Sequence, residues 1–323
     1  MAPGCTLREW LGEGPFSLAL SSSWLGLFCH AGVVCALVES GFSPTKLAGS
    51  SAGALVAVLW AATMDTRRLR ETMERAEARN PIIWASLFSR NVLPGVVNIH
   101  RSTHELLDRI LDGQTPPDLD EGATPVIVSA FDPTRLKTRV FSDGKAAEAL
   151  AASMAVPVLF KPVWSNGRPL IDGAVGDVAG VDGLERSDRV LYHHATYLPL
   201  WLTQHLAGFS DLVALKIHGL PYLNPWQLQG NGMDAFRLAK EATLRALDCP
   251  MTATRWSAGE VARKADTENS GSGSNSSGGG SRAGIGGFSP SSEVGNQGVR
   301  LVEVRTRRHR GTGDDDGGVR SRL

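Results

Sequence analysis

A serine stands between two glycines in the segment Gly49-Ser50-Ser51-Ala52-Gly53. Small residues on both sides permit a sharp turn from a strand into a helix, and such a turn holds a serine hydroxyl exposed beside a base. The N-terminus of the following helix then directs its N–H groups and its dipole at the serine, where they stabilise an oxyanion. Gly-x-Ser-x-Gly alone is a weak signal, because turns commonly use both residue types. The segment predicts nucleophilic chemistry at Ser51 only if its surroundings fit.

The residues before this segment predict the elements that deliver it. Phe16–Leu20 is a short apolar run typical of a buried strand, and Ser21–Gly26 is a loop of mostly small residues. A helix is predicted over Leu27–Ser40, where a glycine follows as a C-terminal cap, and a second strand over Lys46–Ala48. This order is a βαβ unit that leads directly into the turn at Ser51.

Strand and helix patterns continue further along the chain. Strands are predicted over Pro125–Ala130, Thr138–Ser142, Pro169–Ile171, Val190–His193 and Leu212–Ile217. Helices are predicted over Asp65–Arg79, Asn98–Leu111, Ala146–Met154 and Asp234–Leu247. Elements in this order indicate an α/β fold.

Composition excludes some classes of function. Lys plus Arg equals Asp plus Glu, at 33 each, so no overall basic field would hold nucleic acid or an anionic membrane surface. The N-terminus lacks the basic and apolar regions of a secretory signal, and the longest apolar stretch, Ala52–Met64, is too short to span a bilayer. We therefore expect a cytoplasmic protein without a nucleic-acid partner, whose membrane contact is peripheral and comes from a local apolar patch.

Three regions are predicted along the chain: an N-terminal extension over 1–15, a catalytic domain over 16–250 and a largely disordered tail over 251–323. The hydrophobic content of 42% suffices for a substantial core. The tail contains the run SGSGSNSSGGGSR, which cannot bury enough apolar surface to offset its ordering entropy. Val299–Val304 alternates like a strand, but the basic and acidic runs that follow it favour disorder.

Three segments carry a resemblance to a known family: SLALSSSWLGLFCHAGVVCAL from Ser17, KLAGSSAGALVAV from Lys46, and ASMAVPVLFKPVWSNGRPLIDGAVGD from Ala152. Together they resemble the patatin-like phospholipases, whose members carry a glycine-rich loop followed by a basic residue and glycine, then the serine elbow, then Asp-Gly-Ala or Asp-Gly-Gly. The resemblance covers about Phe16 to Val190. It implies a three-layer α/β/α fold with a mainly parallel central sheet, and lipid esters as substrates.

The resemblance also implies a serine and aspartate dyad without a catalytic histidine, with Ser51 as the nucleophile and Asp172 as the base. An aspartate in a partly desolvated cleft is basic enough to accept the serine proton. The implied reaction is hydrolysis of a lipid or small acyl ester through an acyl-enzyme, which requires no metal or organic cofactor. Three other aspartates precede glycines and are interpreted as turn residues: Asp112, Asp143 and Asp182.

An oxyanion hole formed by the N–H groups of Ser22, Ser23 and Ala52 follows from the same resemblance. The elbow and turn glycines are then Gly26, Gly49, Gly53 and Gly173. Serines here replace the glycines of the family's loop, and Leu25 replaces its basic residue. Serine disfavours positive φ, so a loop shape that depends on glycine would be strained. A second interpretation is therefore a lipid-binding or interaction module without turnover, although the presence of both Ser51 and Asp172 favours an enzyme.

An α/β-hydrolase with a Ser-His-Asp triad is a third interpretation. That fold has several strands before its elbow, whereas the chain before Ser51 has room for two. Histidines on a strand are explained better by packing or hydrogen bonding than by catalysis. The histidines that follow the serine and bear on this alternative are His193, His194, His205 and His218.

Other residues that could carry chemistry can be explained by structural roles. His100 and His104 share a predicted helix face, but without a third ligand at a recognised spacing a solvated face is favoured over a metal site. Tyr197–Leu202 is either a lid or membrane-touching loop or a buried segment. Four tryptophans either line an acyl pocket or fill the core and its rim: Trp24, Trp164, Trp201 and Trp226.

Overall fold

The structure is a computed structural model. It describes residues 5–88, 103–104, 107, 118–157, 159–196, 206, 208–221, 232–253 and 299–306.

A single mixed sheet organises the described residues. Its strands are β1 (Ser17–Leu20), β2 (Lys46–Ser50), β3 (Val126–Asp132), β4 (Lys137–Phe141), β5 (Val163–Ser165), β6 (Arg168–Asp172), β7 (Arg189–His194), β8 (Asp211–His218), β9 (Thr252–Ala253) and β10 (Arg300–Arg305). The central order is β3-β2-β1-β7-β8-β10, and every neighbouring pair in it is parallel. Antiparallel pairing involves β4, β5 and β6 at one side and β9 at the other. The predicted α/β fold with a mainly parallel sheet is confirmed.

Helices cover one face of this sheet. They are α1 (Leu7–Gly12), α2 (Leu27–Glu39), α3 (Ala52–Thr63), α4 (Thr66–Phe88), α5 (Ala146–Ser153) and α6 (Gly232–Ala246). Short 3₁₀ turns span Trp24–Gly26 and Gly173–Val175. α3 is apolar on all sides because it lies beneath β2 and contacts α2, α4 and α5. α2 and α6 pack so closely that a Cβ on Gly32 would lie 2.3 Å from the Phe236 carbonyl oxygen.

Strand residues alternate between the two faces, as the two-residue period of a strand requires. Leu18 and Leu20 of β1 pack with the helices, whereas Ala19 packs in a second cluster on the opposite face. The described residues that cover this opposite face belong to irregular segments rather than long helices: Ala179, Val181, Leu184, Leu206 and Phe209.

The predicted elements around the serine are in place. The strand before the loop, the helix after it and the strand before the elbow correspond to β1, α2 and β2. The later predicted strands correspond to β3, β4, β6, β7 and β8, and the predicted helices to α4, α5 and α6. The helix predicted over Asn98–Leu111 lies almost entirely outside the described residues.

The expectation of disorder for Val299–Val304 is wrong. These residues enter β10, which pairs in parallel with β8 from Arg300 to Arg305. Arg300 forms an ion pair with Asp211 of β8, and its guanidinium lies 5.6 Å from the ring centroid of Trp10. The predicted boundary at residue 250 thus excludes strands β9 and β10 of the sheet.

The segment predicted as an N-terminal extension contributes to the core. α1 begins with a capping box between Thr6 and Glu9, and its residues Leu7 and Trp10 are fully buried. The Leu7 N–H donates to the Cys249 carbonyl oxygen at 3.3 Å, which ties this helix to the segment after α6. No described helix combines the length and the apolar character that crossing a bilayer requires.

Candidate active site

Ser51 occupies a strained turn between β2 and α3. Its φ of 52° and ψ of −119° lie outside the regions that L-residues ordinarily adopt. The turn is so tight that the residues two before and two after Ser51 have no space for a side chain. A Cβ on Gly49 would lie 2.6 Å from the Ala54 nitrogen, and one on Gly53 would lie 2.1 Å from the Leu20 carbonyl oxygen. The predicted elbow therefore depends on both glycines.

The sheet register brings Asp172 to this turn. β2 pairs with β3 up to Ser50 opposite Ser129 and then leaves the sheet at Ser51. The next β3 residue, Ala130, pairs instead with Asp172 at the end of β6. Ser51 Oγ consequently donates a hydrogen bond to Asp172 Oδ2 at 2.8 Å.

The Asp172 carboxylate is held from its second oxygen as well. Oδ1 accepts from the Ala174 N–H at 2.8 Å, within the 3₁₀ turn that begins at Gly173. Gly173 is required there, because a Cβ would lie 2.2 Å from the Ser129 carbonyl oxygen. The carboxylate is thereby fixed with one oxygen directed at the serine hydroxyl.

Burial makes Asp172 a stronger base than an ordinary aspartate. Its residue is 3% exposed, and desolvation raises the pKa of its carboxyl from 3.8 to about 6, although hydrogen bonds from Ala174 and Ser51 favour the ionised form. At neutral pH the group is ionised and able to accept a proton.

Ser153 was not predicted as a site residue. It is fully buried at the end of α5, and its Oγ accepts the Ser51 N–H at 2.8 Å. The Ser51 N–H is therefore occupied, and this hydrogen bond positions the backbone of the strained residue. The signal in the sequence was the segment Ala-Ser-Met-Ala-Val-Pro upstream of Asp172, which marks the location but not the partner.

The loop Ser21–Gly26 lies against the elbow, since a Cβ on Gly53 would also meet the Ser21 carbonyl oxygen at 2.6 Å. The Ser22 N–H donates to the Val178 carbonyl oxygen at 2.8 Å, which removes Ser22 from the predicted set of oxyanion donors. The N–H groups of Ser23 and Ala52 donate to no residue in the described part of the chain. These two remain candidates for the oxyanion hole.

The strain expected in this loop falls at Trp24 rather than at a serine. Ser23 has a φ of −151°, and no serine of this loop is among the described residues with positive φ. The left-handed conformation falls at Trp24 instead, with a φ of 52°. Gly26, predicted as a turn glycine, closes the 3₁₀ turn by donating its N–H to the Ser23 carbonyl oxygen at 2.7 Å.

Two buried histidines, His30 and His193, form a hydrogen-bonded pair that contacts this loop at Ser21. His30 Nε2 lies 2.8 Å from the Ser21 carbonyl oxygen, which can only accept, so this nitrogen carries the proton. Burial lowers the pKa of His30 to about 3 and that of His193 well below its usual value, so both rings are neutral at pH 7. His30 Nδ1 then accepts from His193 Nδ1 at 2.8 Å. His193 Nε2 is left as a buried acceptor without a hydrogen-bond partner among the described residues.

The histidines considered for a triad lie elsewhere. His193 and His194 are buried and hydrogen-bonded, the latter to the Tyr192 hydroxyl at 2.9 Å, as the packing interpretation predicted. His218 lies at the end of β8, 3.2 Å from Glu303. Among the described residues, no histidine hydrogen-bonds to Ser51 or Asp172.

Of the remaining predicted residues, Trp164 is 70% exposed and Trp24 is half-buried in the loop. Described residues include no cluster of His, Cys, Asp and Glu that could hold a metal ion. The predicted residues and segments outside the described part of the chain are His100, Asp112, Tyr197–Leu202, Trp201, His205 and Trp226.

Comparison with known proteins identifies the class to which this fold and elbow belong. The family model for patatin-like phospholipases matches residues 23–184, which is half of the chain and includes both Ser51 and Asp172. The chain belongs to the patatin-like phospholipase family.

Individual relatives are distant. Uncharacterized NTE family proteins of Mycobacterium bovis and Mycobacterium tuberculosis are 30% identical over 172 residues, which cover 51% of this chain and 46% of theirs. The chain thus spans about half the length of these curated relatives. Among solved structures, VipD from Legionella pneumophila has a TM-score of 0.37 at 17% identity, covering 64% of this chain and 50% of VipD. The ExoU–SpcU complex of Pseudomonas aeruginosa contains a chain with a TM-score of 0.34 at 15% identity, covering 73% and 52%.

Proposed function

We propose that this protein hydrolyses acyl esters of lipids, with Ser51 as the nucleophile and Asp172 as its base. The observation that carries the proposal is the 2.8 Å hydrogen bond from Ser51 Oγ to Asp172 Oδ2 at a strained elbow. A serine hydroxyl becomes an effective nucleophile when a positioned base accepts its proton during attack. Lipid esters as the substrate class are supported by the family to which the chain belongs.

In the proposed first step, Ser51 Oγ attacks the ester carbonyl carbon and its proton passes to Asp172. The N–H groups of Ala52 and Ser23 donate to the carbonyl oxygen as it becomes negative, and the N-terminus of α3 adds its dipole. The tetrahedral intermediate then collapses, and Asp172 returns the proton to the departing alkoxide. Ser51 remains as an acyl ester.

The second half of the reaction uses the same groups. Asp172 accepts a proton from water as the water attacks the acyl carbonyl carbon, and it returns that proton to Ser51 Oγ when the acid leaves. An alcohol in place of water would give acyl transfer through the same intermediate.

Turnover of a short-chain nitrophenyl ester and of a phospholipid tests the proposal. We expect hydrolysis by the wild type and its loss in Ser51→Ala. Ser50→Ala is the matched control, because Ser50 is the adjacent serine and its buried Oγ has no hydrogen-bond partner among the described residues. Equal rates in Ser51→Ala and Ser50→Ala would refute the assigned nucleophile. A correctly folded wild type without turnover on any ester would favour the lipid-binding module.

A further inference from the structure

Two β-hairpins have their turns at the edge of the sheet where β2 ends and Ser51 lies. β3 ends at Asp132 and turns through 133–136 into β4, while β5 and β6 are joined by a turn at Asn166 and Gly167. β6 runs antiparallel to β3, so both turns point the same way. The pairing of β3 with β6 holds the hairpins side by side, and Arg168 Nη1 lies 3.9 Å from Asp132 Oδ2 across them.

Each hairpin presents an apolar side chain to solvent. Leu136 is 78% exposed at the tip of the first, and Trp164 is 70% exposed on the second. Val175, three residues after Asp172, is 51% exposed. Its segment lies against the first hairpin, because a Cβ on Gly176 would lie 2.8 Å from Thr138 Oγ1. These three are among the five most exposed large apolar residues of the described chain, although they come from three separate segments.

The same hairpins are basic in a chain that is neutral overall. The acidic residue at the end of β3, Asp132, is paired with Arg168. The adjoining sequences 133–141 and 161–170 contain no aspartate or glutamate, but they contain five basic residues: Arg135, Lys137, Arg139, Lys161 and Arg168. Within the described part of the chain, Arg168 alone among them pairs with a carboxylate. The other four are exposed and form no ion pair there, although the Arg139 guanidinium lies 5.4 Å from the ring centroid of Phe141.

We propose that this basic hairpin surface, formed by 133–141, 161–170 and Val175, docks onto an anionic lipid bilayer. Exposed tryptophan and leucine side chains enter the interface between headgroups and acyl chains, while lysine and arginine attract anionic headgroups. A protein partner would have to match three separated apolar side chains with specific pockets, whereas a bilayer accepts them at any spacing.

The position of the surface relates it to the elbow. β6 begins at Arg168, beside the hairpin turn, and ends at Asp172. Four residues of strand separate the two, so Asp172 lies about 13 Å from the turn. Docking would therefore hold the elbow close to the bilayer. The role of the surface in delivering substrate rests on the proposed function, but the docking itself does not require turnover.

Vesicle sedimentation of the Ser51→Ala protein measures docking without hydrolysis. We expect stronger binding to mixed phosphatidylcholine and phosphatidylserine vesicles than to phosphatidylcholine alone. Adding Lys137→Glu with Lys161→Glu should lower the partition coefficient on the mixed vesicles at least tenfold, because each basic residue near an anionic surface contributes about a fivefold factor. Trp164→Ala should lower it about tenfold on both vesicle types.

The charge control is Arg67→Glu with Arg68→Glu, two exposed residues at the start of α4. α4 follows the far end of α3, about 18 Å from the elbow along that helix, and the net-charge change is the same. Leu244→Ala is the apolar control, because Leu244 is 39% exposed on α6. Neither control should change binding.

Equal binding to the two vesicle types, or equal losses in the hairpin and control variants, would overturn the proposal. Hydrolysis of a water-soluble ester by the wild type separates the two proposals. If that activity is absent while the vesicle results hold, the proposed function fails and the docking surface stands. If the activity is present and vesicle binding is absent, the docking proposal fails and the proposed function stands.

Discussion

The elbow at Ser51 and the loop Ser21–Gly26 lie against each other, but they are held in shape by different means. The elbow depends on the absence of side chains, since Gly49 and Gly53 have backbone atoms closer than a Cβ allows. The loop depends on hydrogen bonds: Ser21 Oγ accepts from the Ala195 N–H at 2.9 Å, and the Ser21 carbonyl oxygen is 2.8 Å from His30 Nε2.

This difference explains how serines can stand where the family carries glycines. A glycine-rich loop takes its shape from backbone freedom, whereas this loop uses a serine side chain and a buried histidine to fix its backbone. Within this loop positive φ falls at Trp24, and none of the three serines adopts it. We expect the elbow to tolerate almost no change and the loop to tolerate changes that keep its hydrogen bonds.

The largest expected effect is that of Asp172→Asn, which removes the proposed base from the elbow. Turnover should fall about 10²–10⁴-fold, because asparagine cannot accept the serine proton. Asp143→Asn is the matched control, since Asp143 also precedes a glycine but is exposed in a turn. A rate for Asp172→Asn within twofold of the control would exclude Asp172 as the base.

The same substitution should stabilise the fold above pH 6. Burial raises the pKa of Asp172 from 3.8 to about 6, so the folded state binds this proton more tightly than the unfolded chain does. Stability is therefore lost as the pH rises through this window, by up to about 3 kcal/mol. Melting curves should show a higher Tm for Asp172→Asn at pH 8 and little difference below pH 4. A lower Tm at pH 8 would contradict the assigned burial effect.

The losses of stability in Gly53→Ala, at the elbow, and in Ser22→Gly, in the loop, test this difference directly. The alanine Cβ would lie 2.1 Å from the Leu20 carbonyl oxygen, so β1 or α3 must shift, with an expected loss of about 3 kcal/mol or more. Ser22→Gly keeps the N–H that bonds Val178 and should lose about 0.5–1 kcal/mol through backbone entropy. Denaturant unfolding measures both. Similar losses at the two positions would remove the proposed difference between elbow and loop.

His30→Phe tests the support of the loop. The substitution leaves the Ser21 carbonyl and His193 Nδ1 without their partner, which should destabilise the fold by about 1–3 kcal/mol and lower turnover. Because His30 acts through the loop, the fall in turnover at acid pH should still have its midpoint near pH 6. A displaced midpoint would indicate that His30 contacts the proton-transfer machinery itself.

The smallest expected effect is that of Ser23→Ala. The Ser23 hydroxyl is buried and has no hydrogen-bond partner among the described residues, so its removal relieves an unsatisfied group. We expect a Tm equal to or slightly above that of the wild type and turnover within about threefold, since the N–H remains. A large fall in turnover without a fall in Tm would show that the hydroxyl itself contributes to the reaction.

Local signals were sufficient to predict the elements that deliver Ser51. Apolar runs, a glycine cap and the small-residue turn all lie within a few residues of the features they predict, and β1, α2, β2 and α3 follow them closely. Asp172 required the family pattern, because it lies 121 residues from Ser51 in the chain and is brought beside it only by the pairing of β3 with both β2 and β6.

The remaining features depend on contacts that no local pattern contains. β10 is ordered by β8, by the ion pair with Asp211 and by Trp10, so its composition alone favoured disorder. The Ser153 hydrogen bond and the His30–His193 pair are likewise long-range. Ser21 and Ser22 are likewise fixed by hydrogen bonds to residues far away in the chain.

Labelling with a fluorophosphonate probe tests the central claim most directly, since the probe reacts covalently with an activated serine. We expect wild type and Ser50→Ala to be labelled at Ser51, with a rate that rises about tenfold per pH unit up to about pH 6, where Asp172 ionises, and then levels. Ser51→Ala should not be labelled. Folded wild-type protein that remains unlabelled at pH 8, or that is labelled equally after Ser51→Ala, would contradict the account.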